Sequence, residues 1–295
     1  MSKKDTQKYS APKSMYVHVP FCKSICSYCD FTRVSYQEAM VDKWLVQIKK
    51  DLANVENKNL DTIYLGGGTP SCLSLKQLEE LLVALDSFSV AKEYTIEVNP
   101  ETLTNDKAKL LVEHGINRVS LGVQSFNDDL LRVISRKHTK NDVVNSISLL
   151  NDVGITNISV DLMYGLPTQT LQQLSDDLLF ATSLEIKHVS IYSLTIEPNS
   201  VFGRNNVETI DMDLETDMYT KAIELLEKHG FLQYEISSFA KSGYESKHNL
   251  VYWHYEDFYG IGIGASGKEG NIRYSNISDY KSYLAGERKR EVIDL

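Results

Sequence analysis

Six short β-forming runs alternate with segments whose apolar residues recur at helical spacing, and this alternation constrains the fold more than any other feature of the sequence. The runs span residues 15–19, 62–65, 94–98, 118–123, 157–163 and 188–194. Because strands separated by helices usually pair in parallel, six β-α units in succession predict one parallel sheet covered by helices. Six strands are too few to close an eightfold barrel, so we expect an open or partial barrel.

The segments between the runs predict amphipathic helices, three of which should end before Gly115, Gly154 and Gly230, since glycine readily adopts the left-handed conformation that terminates a helix. After residue 210 the β-α alternation gives way to one more helical segment and then to an aromatic, glycine-rich stretch. We therefore expect a flexible tail over residues 1–14, a partial barrel over 15–210 and a mixed C-terminal extension over 211–295.

The charge and hydropathy of the sequence argue against nucleic-acid binding and against a membrane-spanning helix. The net charge of −9 argues against nucleic-acid binding, which needs clustered basic residues. No apolar run reaches the length of about 18 residues that a membrane-spanning helix needs, and the polar N-terminus lacks the apolar core of a signal peptide. These features predict a cytoplasmic protein without a transmembrane segment; peripheral membrane contact and the oligomeric state stay open.

Cys22, Cys26 and Cys29 form a C-x3-C-x2-C pattern directly after the first run. Disulfides are rare in a reducing cytosol, so clustered thiols there indicate a metal site. Two metal sites remain open: a zinc site completed by His18, or a four-iron cluster. Only three thiolates would hold that cluster, which leaves one iron free for a small chelating molecule. Cys72 is expected to be a free thiol.

Polar and glycine residues follow several of the predicted strands. Gly66–Gly68 follow the second run without the Gly-Lys-Ser/Thr of a phosphate-binding loop, and Glu97, Gln124 and Asp161 close the next three runs. Each residue alone is equally explained as a turn or a strand-end cap. Together with the cysteines they form one constellation, because parallel strands end at the same edge of a sheet.

The segments YVHVPFCKSICSYCDF, YLGGGTPS, IEVNPE, SLGVQSFND, DLMYGLPTQT and HNLVYW follow one another in order. This series resembles the radical S-adenosylmethionine (SAM) superfamily, in particular its HemN/HemW-like branch, over about residues 15–280. The resemblance implies an α/β fold, a partial (β/α)6 radical SAM barrel with a C-terminal α+β extension. It also implies a [4Fe-4S] cluster on Cys22, Cys26 and Cys29 whose open iron chelates SAM and whose electron converts SAM into a deoxyadenosyl radical.

The same resemblance implies a set of SAM-contacting residues, and it leaves the binding of a second SAM open. The residues at matching positions are Tyr16, Tyr28, Gly67, Gly68, Thr69, Glu97, Gln124, Arg136 and Asp161.

Two features are typical of the heme-chaperone group within this branch. Phe31 stands where the coproporphyrinogen dehydrogenases carry a further cysteine, and HNLVYW matches an H-N-x-x-Y-W motif. A neutral imidazole can ligate heme iron, and Tyr252 and Trp253 offer flat apolar surface, so His248 is the candidate heme ligand. The alternatives are a packed aromatic loop in which His248 is a cap, or ligation by His254.

The function implied is that of a heme chaperone that binds the cluster, SAM and heme, and passes heme to acceptor proteins. One alternative is an oxygen-independent coproporphyrinogen III dehydrogenase, an activity that we do not expect here. Others are a radical enzyme acting on another tetrapyrrole and a zinc-binding structural domain. Members of this branch usually continue into a small C-terminal helical domain, so the chain is expected to be truncated.

Overall fold

The computed structural model describes residues 11–287 and 290–294. Most of the predicted flexible tail, residues 1–10, therefore lies outside the described residues. Residues 11–13 lead directly into the first strand.

The strands bear out all six predicted β-forming runs, which are β1 and β4 to β8, although several extend further than the runs. Their bounds are β1 Ser14–Val19, β2 Phe21–Cys22, β3 Val34–Ser35, β4 Asn59–Gly67, β5 Ser89–Val98, β6 Arg118–Gln124, β7 Ile158–Tyr164, β8 His188–Ser193, β9 Leu232–Glu235, β10 Ser238–Ala240, β11 Tyr259–Ile261, β12 Ser266–Glu269, β13 Ile272–Asn276 and β14 Arg290–Asp294.

Helices connect the parallel strands, and the predicted stops are confirmed. Gly115, Gly154 and Gly230 have φ angles of +78°, +97° and +80° just past the ends of three helices. The bounds are α1 Glu38–Ala53, α2 Leu75–Leu85, α3 Asn105–Glu113, α4 Asp128–Val133, α5 Lys140–Asp152, α6 Leu171–Thr182, α7 Val201–Arg204, α8 Met212–Lys228, α9 Lys247–Trp253 and α10 Tyr280–Leu284, with 3-10 turns at Pro70–Cys72 and Pro100–Thr102.

Nine of the described strands form a mostly parallel sheet in the order β11-β1-β4-β5-β6-β7-β8-β10-β9, while β12, β13 and β14 form a separate antiparallel sheet and β2 pairs with β3. The six predicted strands occupy the centre of the nine-stranded sheet and are parallel throughout. Residues after 210 contribute to both edges of this sheet: β11 pairs in parallel with β1, and the β9-β10 hairpin is antiparallel to β8. The α/β fold is confirmed. A closed barrel is not, since the strand order begins at β11 and ends at β9.

The main core lies between the sheet and the helices that cross over it. Trp44 on α1 is fully buried at the centre of this layer, and its ring meets Phe21 edge-on at a centroid distance of 5.6 Å. A smaller cluster formed by α4, α7 and the ends of β7 and β8 packs against Tyr28. This second cluster lies below the cysteine loop and gives it a rigid support.

The fold makes a direct prediction about α1. Replacing Trp44 by alanine should lower the free energy of unfolding by about 3–5 kcal/mol, because a fully buried aromatic side chain leaves a cavity. The matched control is Val46→Ala on the exposed face of the same helix, which should change it by no more than about 0.5 kcal/mol. Urea unfolding followed by circular dichroism measures the free energy of unfolding of both variants. An equal decrease in the two variants would contradict the assignment of Trp44 to the buried face of α1 and of Val46 to its exposed face.

Candidate cofactor site at the carboxyl edge of the sheet

A short parallel ladder closes the loop that carries the cysteines. β2 pairs with β3, so that the chain leaves the sheet, passes through Cys26 and Cys29, and returns beside Cys22. His18 fixes the return, because its Nε2 donates to the Thr32 carbonyl at 2.7 Å. Tyr16 Oη in turn donates to His18 Nδ1 at 3.0 Å. The returning end of the loop is thus tied to β1 through Thr32, and Tyr16 fixes the orientation of the His18 ring.

The tip of the cysteine loop is held by neighbouring elements. The Ser27 amide donates to the Ile134 carbonyl at 3.1 Å, and the Ser27 carbonyl accepts from the Phe202 amide at 2.9 Å. The Ser27 hydroxyl also contacts the Ser135 hydroxyl at 2.6 Å. These bonds fix the backbone between Cys26 and Cys29, which suits a loop that must present its thiols in one direction.

The three clustered thiols are partly exposed, whereas Cys72 is buried. Burial raises the pKa of Cys22 to about 11 and raises that of Cys29 as well. Cys72 donates its thiol hydrogen to the Phe21 carbonyl at 3.3 Å, so it packs behind the loop, apart from the other three. Burial raises the pKa of Cys72 to about 12.

One cavity of about 480 Å³ collects nearly all the predicted site residues, and we call it the cofactor pocket. A pocket of this volume lies in the range that holds small-molecule cofactors. Tyr16 and His248 are the two predicted residues that do not line it. Those that do are Cys22, Cys26, Cys29, Tyr28, Gly67, Gly68, Thr69, Glu97, Gln124, Arg136 and Asp161.

The glycine run lies against the cysteine loop, and two of its positions exclude a side chain. The Gly68 amide donates to the Val19 carbonyl at 2.8 Å. A Cβ on Gly68 would lie 2.7 Å from the Phe21 carbonyl oxygen. Gly67 has a φ of +112°, and a Cβ there would lie 2.4 Å from the His18 ring. Only glycine lets the backbone pass this close to both the loop and the pocket.

Glu97 is a partly buried carboxyl at the end of β5. It accepts hydrogen bonds from Tyr64 Oη at 2.9 Å and from the Gly67 amide at 3.0 Å. Burial raises its pKa to about 7, and these two bonds oppose the rise. Glu97 is therefore held in place by the glycine run and is poised to change charge near neutral pH.

Asp161 on β7 is the second carboxyl of the pocket. The Ser120 hydroxyl donates to both of its oxygens, at 3.0 and 2.9 Å, and Ser159 adds a third bond at 3.3 Å. Burial raises the pKa of Asp161 while these hydroxyls oppose the rise. The serines come from two adjacent strands, so the position of the carboxyl is set by the sheet itself.

A polar belt joins two of the thiols across the floor of the pocket. Arg136 Nη1 donates to Cys26 Sγ at 3.6 Å, and Nη2 donates to Asn99 Oδ1 at 2.9 Å. Asn99 Nδ2 donates to Thr69 Oγ1 at 3.3 Å, and Thr69 Oγ1 contacts Cys22 Sγ at 3.6 Å. Asn99 was not identified from the sequence. The one feature that could have indicated it is its position two residues after Glu97, at the same edge of the sheet.

Gln124 and Tyr28 complete the far wall. Gln124 has a φ of +67°, an uncommon value for a residue with a Cβ, and it follows an irregularity in the β6-β7 pairing. Such a conformation costs on the order of 1–3 kcal/mol and persists where the surroundings require it. Burial raises the pKa of the Tyr28 phenol.

A second cavity of about 550 Å³, the aromatic cavity, adjoins the cofactor pocket. Tyr16 lines it, together with several residues that follow α9. Phe31, Gly67 and Glu97 line both cavities, so they form the boundary between them.

His248 lies beneath both cavities and lines neither. The side chain is fully buried, with Nδ1 hydrogen-bonded to Thr62 Oγ1 at 2.7 Å and Nε2 to Tyr252 Oη at 2.8 Å. Burial, with the positive charge of Arg118, lowers its pKa to about 3, so the imidazole is neutral. With both nitrogens engaged, His248 supports the packing of its motif instead of offering a ligand to a cavity.

Glu93 explains how the HNLVYW segment is held under the sheet. This buried carboxylate accepts from the amides of Lys247 and His248 at 2.9 and 3.1 Å and from the Ser246 hydroxyl at 3.3 Å. It therefore caps the start of α9 from β5, a link that sequence reasoning did not detect.

Among the described residues, no helix is both long and apolar enough to cross a membrane.

Three comparisons with known proteins agree on the relationship. The profile of the Radical SAM superfamily matches residues 16–181. The heme chaperone HemW of Bacillus subtilis (strain 168) is 42% identical over 284 residues, covering 92% of this chain and 75% of that protein. The heme chaperone HemW of Escherichia coli (strain K12) is 37% identical over 265 residues, covering 87% and 70%.

A solved structure confirms the fold. Coproporphyrinogen III oxidase (HemN) from Escherichia coli, described as a radical SAM enzyme, superposes with a TM-score of 0.84 over 97% of this chain and 72% of that one. Its 22% identity shows the fold alone. Taken with the match to the superfamily profile and the level of identity to curated relatives, the chain belongs to the radical SAM superfamily and, within it, to the HemW family.

Proposed function

We propose that this protein is a heme chaperone that carries a [4Fe-4S] cluster, binds SAM and heme, and passes heme to acceptor proteins. The observation that carries the proposal is the pair of adjoining cavities, one lined by three thiols and four carboxyls, the other walled by aromatic rings. The curated relatives, which are named heme chaperones, support the same function.

The distribution of the thiols favours a cluster over a single zinc ion. Among the residues that the structure describes, no three potential metal ligands converge on one point. Cys22, Cys26 and Cys29 instead line a cavity, which suits a group of several metal atoms. We propose a cytoplasmic location as well, since a reducing compartment keeps such thiols free for iron.

The remaining residues of the cofactor pocket are proposed to hold SAM. The unsubstituted backbone at Gly67 and Gly68 would face its methionine end, and the carboxyls of Glu97 and Asp161 would accept from its amino or ribose donors. With both groups bound, this site would supply the one-electron reduction that cleavage of SAM requires. Arg136 and Asn99 also help to fix the positions of two thiols through the polar belt.

A second candidate function is oxygen-independent coproporphyrinogen III dehydrogenation. The fold similarity to HemN favours it, and both functions require a tetrapyrrole beside the cofactor pocket. Phe31, whose side chain is 65% exposed at the boundary of the two cavities, argues against it, since that enzyme group carries cysteine at this position.

The proposed function is tested by two assays on one preparation. Anaerobically reconstituted protein should bind hemin, seen as a new Soret band, and should convert no coproporphyrinogen III to protoporphyrinogen IX over many turnovers. Hemin-loaded protein should then lose its heme to a heme-free cytochrome. Sustained coproporphyrinogen turnover would favour the dehydrogenase instead.

The cluster assignment predicts a difference between two cysteines. Cys22→Ala should abolish the charge-transfer absorption of the reconstituted cluster, because only three thiolates are available to hold it. Cys72→Ala should leave this absorption and the iron content, about four atoms per chain, unchanged. Recovery of zinc in place of iron after anaerobic purification would argue for a structural zinc site.

The SAM assignment predicts an effect of Glu97 that depends on pH. Glu97→Gln should weaken SAM binding about tenfold at pH 8, since a charged acceptor is lost. With a pKa of about 7, the wild-type carboxyl ionises between pH 6 and 8, so its SAM affinity should rise over that range relative to the variant. Isothermal titration with SAM measures both, and Glu79→Gln on the exposed face of α2 serves as the control. An identical pH profile in the two proteins would remove Glu97 from the site.

A further inference from the structure

The aromatic cavity has the size and the walls of a site for a flat ligand. Its volume of about 550 Å³ lies within the usual range for ligand pockets. Tyr252, Tyr255 and Phe31 are 39%, 56% and 65% exposed, although such large rings are normally covered in a folded protein. The Tyr252 and Phe258 rings pack edge to face, with an angle of 70° between their planes and centroids 4.7 Å apart. This contact fixes one corner of the cavity.

Arg273 offers a positive charge to an anionic group of a ligand, although the carboxyls of Glu97 and Glu256 also line the cavity. Arg273 on β13 is exposed and lines the cavity. Among the residues whose side chains are described, it has no hydrogen bond or ion pair. Lys268 lies nearby, but Asp257 neutralises it at 2.7 Å. Arginine binds carboxylates through two parallel hydrogen bonds, so Arg273 suits a ligand with peripheral carboxylates.

Among the histidine and tyrosine side chains that line the cavity, one has no hydrogen-bond partner in the described part of the chain. The two carboxyls of the lining already have contacts, Glu97 with Tyr64 and the Gly67 amide, and Glu256 with His254 Nδ1 at 3.7 Å. His18 is excluded because both of its ring nitrogens are hydrogen-bonded, and the phenols of Tyr16 and Tyr252 are taken by His18 and His248. The Tyr255 phenol makes no hydrogen bond within the described part of the chain. Tyr255 also has a φ of +58°, a conformation that costs free energy for a side chain of this size.

We infer that the aromatic cavity is the heme site of the function proposed above, with the Tyr255 phenolate as the iron ligand and Arg273 paired with a propionate. Phenolate is an established ligand of heme iron. The iron–oxygen bond forms as the phenol releases its proton to solvent, and the ferric iron keeps its oxidation state. Because the Tyr255 and Phe31 rings are largely exposed, a macrocycle bound there would stay accessible from solvent, as transfer to another protein requires.

This assignment gives the HNLVYW segment a different role from iron ligation. His248 holds the Tyr252 hydroxyl from below, and Tyr252 forms a wall of the cavity. His248 is thus a positioning residue for the ring, and the iron ligand follows the motif by two positions.

Hemin titration of the reconstituted protein tests the inference. Tyr255→Phe keeps the aromatic wall but removes the ligand, so it should weaken hemin binding at least tenfold and abolish the tyrosinate-to-iron charge-transfer band. Tyr244→Phe, on a loop outside the cavity, is the matched control and should change neither. Unaltered circular dichroism and cluster absorption show that each variant is folded.

A second pair of variants tests the carboxylate contact. Arg273→Gln should weaken binding of hemin about tenfold but should leave binding of its dimethyl ester unchanged, since the ester has no charge to pair. Arg132→Gln on the exposed surface of α4 should affect neither ligand.

The outcomes separate the site from the function. Wild-type protein that binds no hemin would overturn the proposed function and this site together. Hemin binding that is identical in spectrum and affinity in wild type, Tyr255→Phe and Arg273→Gln would overturn the site alone. Loss of the iron–ligand spectrum in His254→Ala, with Tyr255→Phe unchanged, would also overturn it, because the exposed imidazole next in the chain would then be the ligand.

Discussion

The parallel pairing of β1 with β4 is the constraint on which the cofactor pocket depends. In this register His18 lies opposite Gly66 and Val19 opposite Gly67, so the cysteine loop and the glycine run leave the sheet side by side. Parallel strands require crossover helices, and these helices bury the main core on the outer side of the sheet. Because the register is shared across the sheet, the carboxyls of Glu97 and Asp161 reach the same edge from two further strands.

Much of the fold followed from periodicity, because the central strands are buried and their connections are helical. The predicted strand over 62–65 lies within the longer β4, and the three glycine stops mark helix ends. The short outer strands β9, β10 and β11 were harder to predict, since three or four residues carry too little periodic signal. Their attachment to both edges of one sheet depends on tertiary pairing, which spacing alone does not specify.

In the candidate site, too, some residues could be predicted from the sequence pattern and others depend on tertiary contacts. Residues next to the cysteines or at strand ends were predictable because strand order alone brings them to one edge. Asn99 and Tyr64 were not, since their importance lies in hydrogen bonds to Arg136 and Glu97. For His248 the sequence shows only a histidine beside aromatic residues, whereas the hydrogen bond from its amide to the buried carboxyl of Glu93 depends on the tertiary fold.

Glu97 faces both cavities, and this shared wall has a thermodynamic consequence. A ligand that binds more tightly when Glu97 is ionised lowers the free energy of ionising this carboxyl. A second ligand with the same preference, bound in the other cavity, then binds more tightly as well. Linkage is reciprocal, so if SAM and a tetrapyrrole bind as proposed, the factor by which SAM would change the affinity for the tetrapyrrole equals the factor by which the tetrapyrrole would change the affinity for SAM. Because burial raises the pKa of this shared carboxyl to about 7, two ligands bound as proposed would be coupled through its charge without any movement of the backbone.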